Sequence, residues 1–381
     1  MKKRILPILL ALIMALTLLP TLAMADEPAN KVLIDGNNEM FTSLEAAVKE
    51  AEAGDTIYVY PGDYNIVPDN ETVVEGQTGW YLAITEQLTI MGVDADGNPI
   101  TDAAKTQARI YSTHYTANSS WPSQDLVFVC ADNVTISGLT IMNKVAPNKA
   151  VEVYDADNFV IENCKFAPIA SDLIPDGGVT NGSGEVVYAY EEYKEYGASL
   201  YFNKNSTATV TGNLFDHSNL TFDGTDSSTI NVEGNTFEGV MNRNNYTYSA
   251  IGYTSWDTPK VTEINGEGIT ISNNKFIETG KINFSLVTSG TVDVSDNYWE
   301  GMNLASDITG HVTASTIYAD DSMTETVAVV IDGTGENTLQ TQINNAASGA
   351  GLNLLLKKAA RCYVFGCDFD HAVGRKFCHL A

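Results

Sequence analysis

Six segments of this chain align without gaps, and their register restricts the fold more than any other feature of the sequence. They are Ile136-Ser-Gly-Leu-Thr-Ile141, Ile161-Glu-Asn-Cys-Lys-Phe166, Val210-Thr-Gly-Asn-Leu-Phe215, Val232-Glu-Gly-Asn-Thr-Phe237, Ile271-Ser-Asn-Asn-Lys-Phe276 and Val294-Ser-Asp-Asn-Tyr-Trp299. The first position is Ile or Val, the third Gly, Asn or Asp, and the sixth Ile, Phe or Trp. The fourth is Leu139, then Cys164, then Asn213, Asn235, Asn274 and Asn297. Steps between fourth positions are 25, 49, 22, 39 and 23 residues, a period of 22 to 25. The 49 is either two coils or one coil with a long insertion, and the 39 reads as one coil with a single loop. A fixed period in this range signals stacked repeats.

The columns say which stack. A β-branched residue, one outward residue and then a residue that tolerates positive φ describe a strand ending in a tight bend. An apolar side chain re-enters after it. Helical periodicity is absent, and β-branched residues alternate with polar ones. Coils stacked at strand spacing, about 4.8 Å, put the four asparagines in one internal row, where their amides can bond in a ladder. A sandwich of short strands gives no reason for one column to repeat Asn. The expected fold is all-β, a right-handed parallel β-helix, with an N-terminal capping helix. That helix is read from Phe41-Thr-Ser-Leu-Glu-Ala-Ala-Val-Lys-Glu-Ala-Glu-Ala-Gly54, whose Leu44, Ala47, Val48 and Ala51 form an apolar stripe.

The cap "FTSLEAAVKEAEAGDTIYVYPGDY" and the coils "NVTISGLTI", "NVEGNTF" and "ITISNNKF" resemble the pectin-lyase-like right-handed β-helix superfamily, over roughly residues 31–299. The resemblance implies the fold. It leaves function open, because the superfamily holds lyases, hydrolases, epimerases and noncatalytic surface proteins.

The ends set further expectations. Lys2, Lys3 and Arg4, the apolar run Ile5 to Leu19 and Ala23-Met24-Ala25 form a signal peptide over residues 1–25. The apolar run is short for a membrane span. The expected product is a secreted or cell-surface protein with no membrane span after cleavage. The β-helix is expected over 26–302, with a linker or final irregular coil over 303–329. Leu339, Ile343, Ala346 and Gly349 repeat the helix stripe and its terminal glycine at a constant offset of 295, so 330–349 reads as the start of a second β-helix module. Residues 350–381 form an atypical tail, truncated or frame-shifted in character. It holds Cys362, Cys367 and Cys378, whose spacing matches no standard zinc pattern.

Without its first three basic residues the chain carries 18 Lys+Arg against 48 Asp+Glu. That charge excludes nucleic acid and anionic membrane surfaces as partners, since both need a positive face. No cofactor is required, and calcium is the one the acidity would accommodate.

Catalytic signatures are thin. A polysaccharide lyase needs acidic calcium ligands and an Arg or Lys base, but Arg109 and Arg243 are the only arginines between the signal peptide and residue 360. Lys165, Lys204 and Lys275 occupy outward positions. Asp172, Asp176, Glu185, Glu191 and Glu192 crowd an irregular stretch, as solvated loop acids also do. Aromatic residues cluster more tellingly: Tyr111, Tyr115 and Trp121 in one segment, Tyr188, Tyr190, Tyr193 and Tyr196 in one insertion, and Tyr246, Tyr248, Tyr253 and Trp256 in another. Aromatic faces beside polar rims hold sugar rings, although such rings also anchor their own loops. Tyr188, Tyr190, Tyr193, Tyr246, Tyr248 and Trp256 are the candidate carbohydrate-binding residues. The expectation is a noncatalytic β-helix protein that binds a glycan, or host or matrix surfaces, through flank loops. The alternative is a calcium-assisted polysaccharide lyase or other carbohydrate-active enzyme. A basic residue facing carboxylates across adjacent coils would favour the enzyme.

Overall fold

A computed structural model describes residues 30–37, 39–68, 73–74, 80–114, 125–142, 149–180, 186–187, 199–203, 206–223, 229–239, 242–243, 246–247, 249–253, 265–300, 308–331, 366–370 and 375–379. Three long sheets run through the molecule: sheet A of twelve strands, and sheets B and C of eight each. Each coil passes through all three in turn. Phe159–Glu162 lies in sheet A, Lys165–Ala167 in B and Leu200–Asn203 in C, before Thr207–Thr211 returns to A beside its predecessor. Successive strands within each sheet pair in parallel along these coils. Crossovers between parallel strands are right-handed, and the chain is a right-handed parallel β-helix.

Strands of two to five residues suffice because each backbone bonds to the coils above and below rather than to its own neighbours in sequence. The bend from A to B is tight. Its third-column residues, Gly138, Asn163, Gly212, Gly234, Asn273 and Asp296, all have φ between 54° and 69°. Only residue types that enter this region at little cost stand there.

The fourth column forms the expected row. Asn213 Nδ2 donates to Asn235 Oδ1 at 2.9 Å, Asn235 Nδ2 to Asn274 Oδ1 at 2.9 Å, and Asn274 Nδ2 to Asn297 Oδ1 at 3.0 Å. The backbone N–H of each donor residue bonds the same oxygen. The other amide proton reaches a strand carbonyl of the coil before, those of Ile161, Val210, Val232 and Ile271. At the upper end Cys164 N–H donates to Asn213 Oδ1. Beside this row the sixth-column rings stack: Phe166, Phe215, Phe237, Phe276 and Trp299 follow at centroid spacings of 4.7, 4.4, 5.0 and 4.3 Å, within 9° of parallel. The first-column residues complete the core, all fully buried or nearly so.

The two irregular steps are resolved. Phe159–Glu162 pairs directly with Thr207–Thr211, so the 49-residue step is one coil with a long insertion. The 39-residue step is also one coil, but it does not carry a single loop. Strand Ile251–Tyr253 of sheet C interrupts it, leaving separate insertions on the two edges of that sheet.

Helix α1 (Leu44–Glu50) occupies the middle of the stretch read as helical. Ser43 caps it, accepting the Ala46 N–H at 3.1 Å. Leu44 and Ala47 are buried, and the helix packs on strands Val32–Ile34, Met40–Phe41 and Thr56–Val59. It ends at Glu50 because Ala51 is already extended, and the chain turns through Gly54 at φ 99°. At the other end the coils continue past 302: Ile308–Gly310 extends sheet C and Val312–Tyr318 extends sheet A, where Thr326–Ile331 pairs with it antiparallel. The signal peptide and residues 332–349 lie outside the described residues. Of the tail, Gly366–Asp370 and Arg375–His379 form an antiparallel pair.

Candidate functional site

Four long insertions share one corner of the solenoid. Between sheets B and C the chain takes short paths at 217–219 and 278–281, but long ones at 66–81, 112–126, 168–199 and 239–250. Two of these contain an antiparallel hairpin: Val179–Thr180 with Val186–Val187, and Asn242–Arg243 with Tyr246–Thr247. They return to strands Leu200–Asn203 and Ile251–Tyr253, which lie on either side of Leu220–Asp223 in sheet C. The two hairpins therefore leave the same corner two strand spacings apart, about 10 Å.

Of the aromatic candidates, Tyr188, Tyr190, Tyr193, Tyr248 and Trp256 fall outside the described residues. Tyr246 lies in the second hairpin, its side chain likewise outside the description. In sequence, Tyr188, Tyr190, Tyr193, Tyr246 and Tyr248 fall between a strand of sheet B and the next strand of sheet C. In sequence, Trp256 follows strand Ile251–Tyr253.

Sheet C's outward column next to this corner is unusual. Register places Phe128, Glu152, Tyr201 and Thr221 side by side, pointing away from the core lined by Val151, Val153, Leu200 and Phe202. All four are nonetheless buried. Trp80 lies on Phe128 at 4.4 Å between centroids, and Tyr154 at 5.7 Å. Glu152 accepts from Asn203 Nδ2 at 2.8 Å and from Lys149 Nζ at 2.9 Å. Lys149 also lies over the Tyr201 ring, 4.4 Å from its centroid, and its backbone N–H donates to Asp125 Oδ1 at 3.1 Å. Burial first, then the neighbouring Asp125 carboxyl, raises Glu152 well above the usual carboxylate range. Sequence reading missed this cluster. In Val151-Glu-Val-Tyr154 the acid alternates with apolar residues just as a solvent-facing residue would.

On sheet B's outer face, too, basic residues face acids across coils. Arg109 grips Asp63 with two nitrogens, Nε at 2.6 Å and Nη2 at 2.8 Å, and reaches Asp172 through Nη1 at 2.9 Å. The bond to Asp63 raises the guanidinium further above its already high value. Lys165 bonds Asp216 at 3.0 Å, and the other oxygen of Asp216 holds His217 Nδ1 at 2.6 Å. Burial pushes the Asp216 carboxyl up, but the bonds from His217 and Lys165 outweigh it and leave it lowered. Of the acids considered as catalytic, Asp172 is thus tied to Arg109, Asp176 is exposed, and Glu185, Glu191 and Glu192 lie outside the described residues. Lys275 keeps its outward place in sheet B, while Lys204 is outside the description. No group of three or more His, Cys, Asp or Glu suited to a metal occurs among the described residues, and no described helix is long and apolar enough to cross a membrane.

No family model and no curated protein matches this chain. Solved β-helix structures do. A pectin methylesterase in complex with a hexasaccharide is 11% identical over 71% of this chain and 88% of its own, at a TM-score of 0.34. The pectin methylesterase of Erwinia chrysanthemi is 12% identical over 72% and 90%, at 0.29. An alginate lyase from a Paenibacillus species is 14% identical over 71% and 95%, at 0.25. Likeness at this level adds nothing to the fold that the coils establish, and nothing to the chemistry.

Proposed function

We propose that this is an exported, secreted or cell-surface β-helix protein that binds a glycan, or a host or matrix surface, without transforming it, through the insertions at the corner between sheets B and C. One observation carries the reading. Two insertions rich in tyrosine leave the same corner about two strand spacings apart, so a chain-like ligand lying along the solenoid axis can meet both. The paired cations support binding over elimination. A base must surrender its proton to accept another, and Arg109, bridged by both oxygens of Asp63, is held charged.

The test is calorimetric titration of the mature chain, from Asp26 onward, with oligosaccharides of plant, algal and host matrix polymers. Binding weakened at least tenfold by Tyr188→Ala with Tyr246→Ala supports the proposal. Parallel incubation with polygalacturonate and alginate plus calcium, monitored for unsaturated product, opposes it if turnover appears. A lyase reading has one specific observation in its favour: the His217 ring is held through Nδ1 by Asp216, whose other oxygen binds Lys165 of the preceding coil. Turnover lost on His217→Ala would move the function there.

A further inference from the structure

The layer over sheet C contains an imbalance of charge. Asp125 and Glu152 have fully buried side chains, and Lys149, with 13% of its side chain exposed, is the cation between them. Neither acid meets a second cation among the described residues. Two ionised carboxylates on one ammonium would leave a negative charge uncompensated in a site closed to water, which buried groups avoid by binding a proton.

The hydrogen bonds show where that proton belongs. Asp125 Oδ1 accepts the Lys149 backbone N–H, but Oδ2 has no donor and stands 3.7 Å from Lys149 Nζ. A buried oxygen without a donor calls for an explanation. The Glu152 carboxyl, engaged by Asn203 and by Lys149 Nζ at 2.9 Å, shares that ammonium with Asp125 Oδ2, which stands 3.7 Å from it. One proton between the two acids satisfies the orphan oxygen and cancels the surplus charge together.

We propose that Glu152 keeps its proton at neutral pH and donates it to the orphan Oδ2 of Asp125, making the outer layer of sheet C a proton-binding site whose release loosens the face beside the hairpin-bearing corner. The groups facing the pair come from three coils. Asp125 precedes strand Val127–Val129, Lys149 precedes Val151–Tyr154, and Tyr201 with the neutral Asn203 stands on Leu200–Asn203. Phe128 and Thr221, on either side, carry no charge. The upward displacement of Glu152, driven by burial and then by Asp125, agrees with this arrangement.

The sign follows from linkage. In the unfolded chain Glu152 ionises at an ordinary carboxylate value, whereas in the folded chain it keeps its proton to higher pH. Between those limits the folded state binds more protons, so stability falls as pH rises. The contribution is complete below the unfolded value and gone above the folded one.

Thermal unfolding of the mature chain, followed from about pH 5 to about pH 9, tests this against Glu152→Gln. The glutamine is neutral like the protonated acid and supplies an N–H for Asp125 Oδ2, although its amide keeps an oxygen in only one of the two places that accept from Asn203 and Lys149. The midpoint of the native protein should drop across the range relative to the variant, whose own profile lacks that component. Difference infrared spectra at neutral pH should show the carbonyl band of a protonated carboxyl in the native chain and lose it in the variant. Parallel pH profiles, or no such band, would overturn the proposal. Should Glu152→Gln fail to fold, Asp125→Asn carries the same comparison, and the band in the native protein decides if neither variant folds.

Discussion

Removing one asparagine from the internal row should cost an amount set by how many donors it orphans. Asn235 Oδ1 accepts two bonds at 2.9 Å, from the backbone N–H and from the side-chain amide of Asn213. Asn235→Ala leaves both donors unpaired in a core without water. Asn213 Oδ1 accepts one such bond, from Cys164 N–H, because the coil above presents a cysteine instead of a further asparagine. An orphaned buried donor costs about 1–3 kcal/mol, so Asn235→Ala should destabilise by about 2–6 kcal/mol and Asn213→Ala by about 1–3 kcal/mol. Asn274→Ala should match Asn235→Ala, since Asn274 Oδ1 also accepts two bonds. The assay is urea unfolding of the mature chain by circular dichroism. Amide hydrogen exchange should accompany it, because coils in a solenoid can open locally. An Asn213→Ala cost equal to or above that of Asn235→Ala would refute the reasoning.

Four further outcomes follow. Phe237→Ala removes the middle ring of the stack, and a loss of about 3–5 kcal/mol is expected in the same urea experiment. Gly239 has φ 73°, and a Cβ there would meet His217 Nε2 at 2.6 Å. Gly239→Ala should therefore lower the melting temperature, and adding His217→Ala should recover only the part due to the clash, leaving the left-handed strain. Asp216 is lowered on folding, so its contribution is present above the unfolded value and is lost as pH falls through the folded one. Acid unfolding should begin at higher pH in native protein than in Asp216→Asn relative to each protein's stability at neutral pH. The Arg109–Asp63 bridge is partly exposed, and Arg109→Met should cost no more than about 1 kcal/mol by urea midpoint.

What could be read from the sequence was whatever the backbone restricts. Gly138, Asn163, Gly212, Gly234, Asn273 and Asp296 announced the bends because few residue types accept a left-handed backbone. The asparagine row and the ring stack followed once the period was known, because stacking brings equal columns together. Insertions obey no such column. Strand Ile251–Tyr253 hides in an aromatic stretch, so the two insertions around it looked like one. Glu152 gave no signal either, because an acid alternating with valines looks the same under a covering layer as in water. Asp216-His217 was visible as a pair of neighbours, but its tie to Lys165, from the preceding coil, is a product of the stacking.

Vertical register of the coils is best tested on the asparagine amides themselves. In a mature chain labelled with nitrogen-15 only at asparagine, the side-chain amides of Asn213, Asn235, Asn274 and Asn297 should resist hydrogen exchange. Through-space contacts should run from Asn235 to Asn213 on one side and Asn274 on the other. Rapid exchange of these four amides, or contacts from Asn235 to neither partner, would contradict the stacked arrangement from which the shared corner and the buried carboxyl pair both follow.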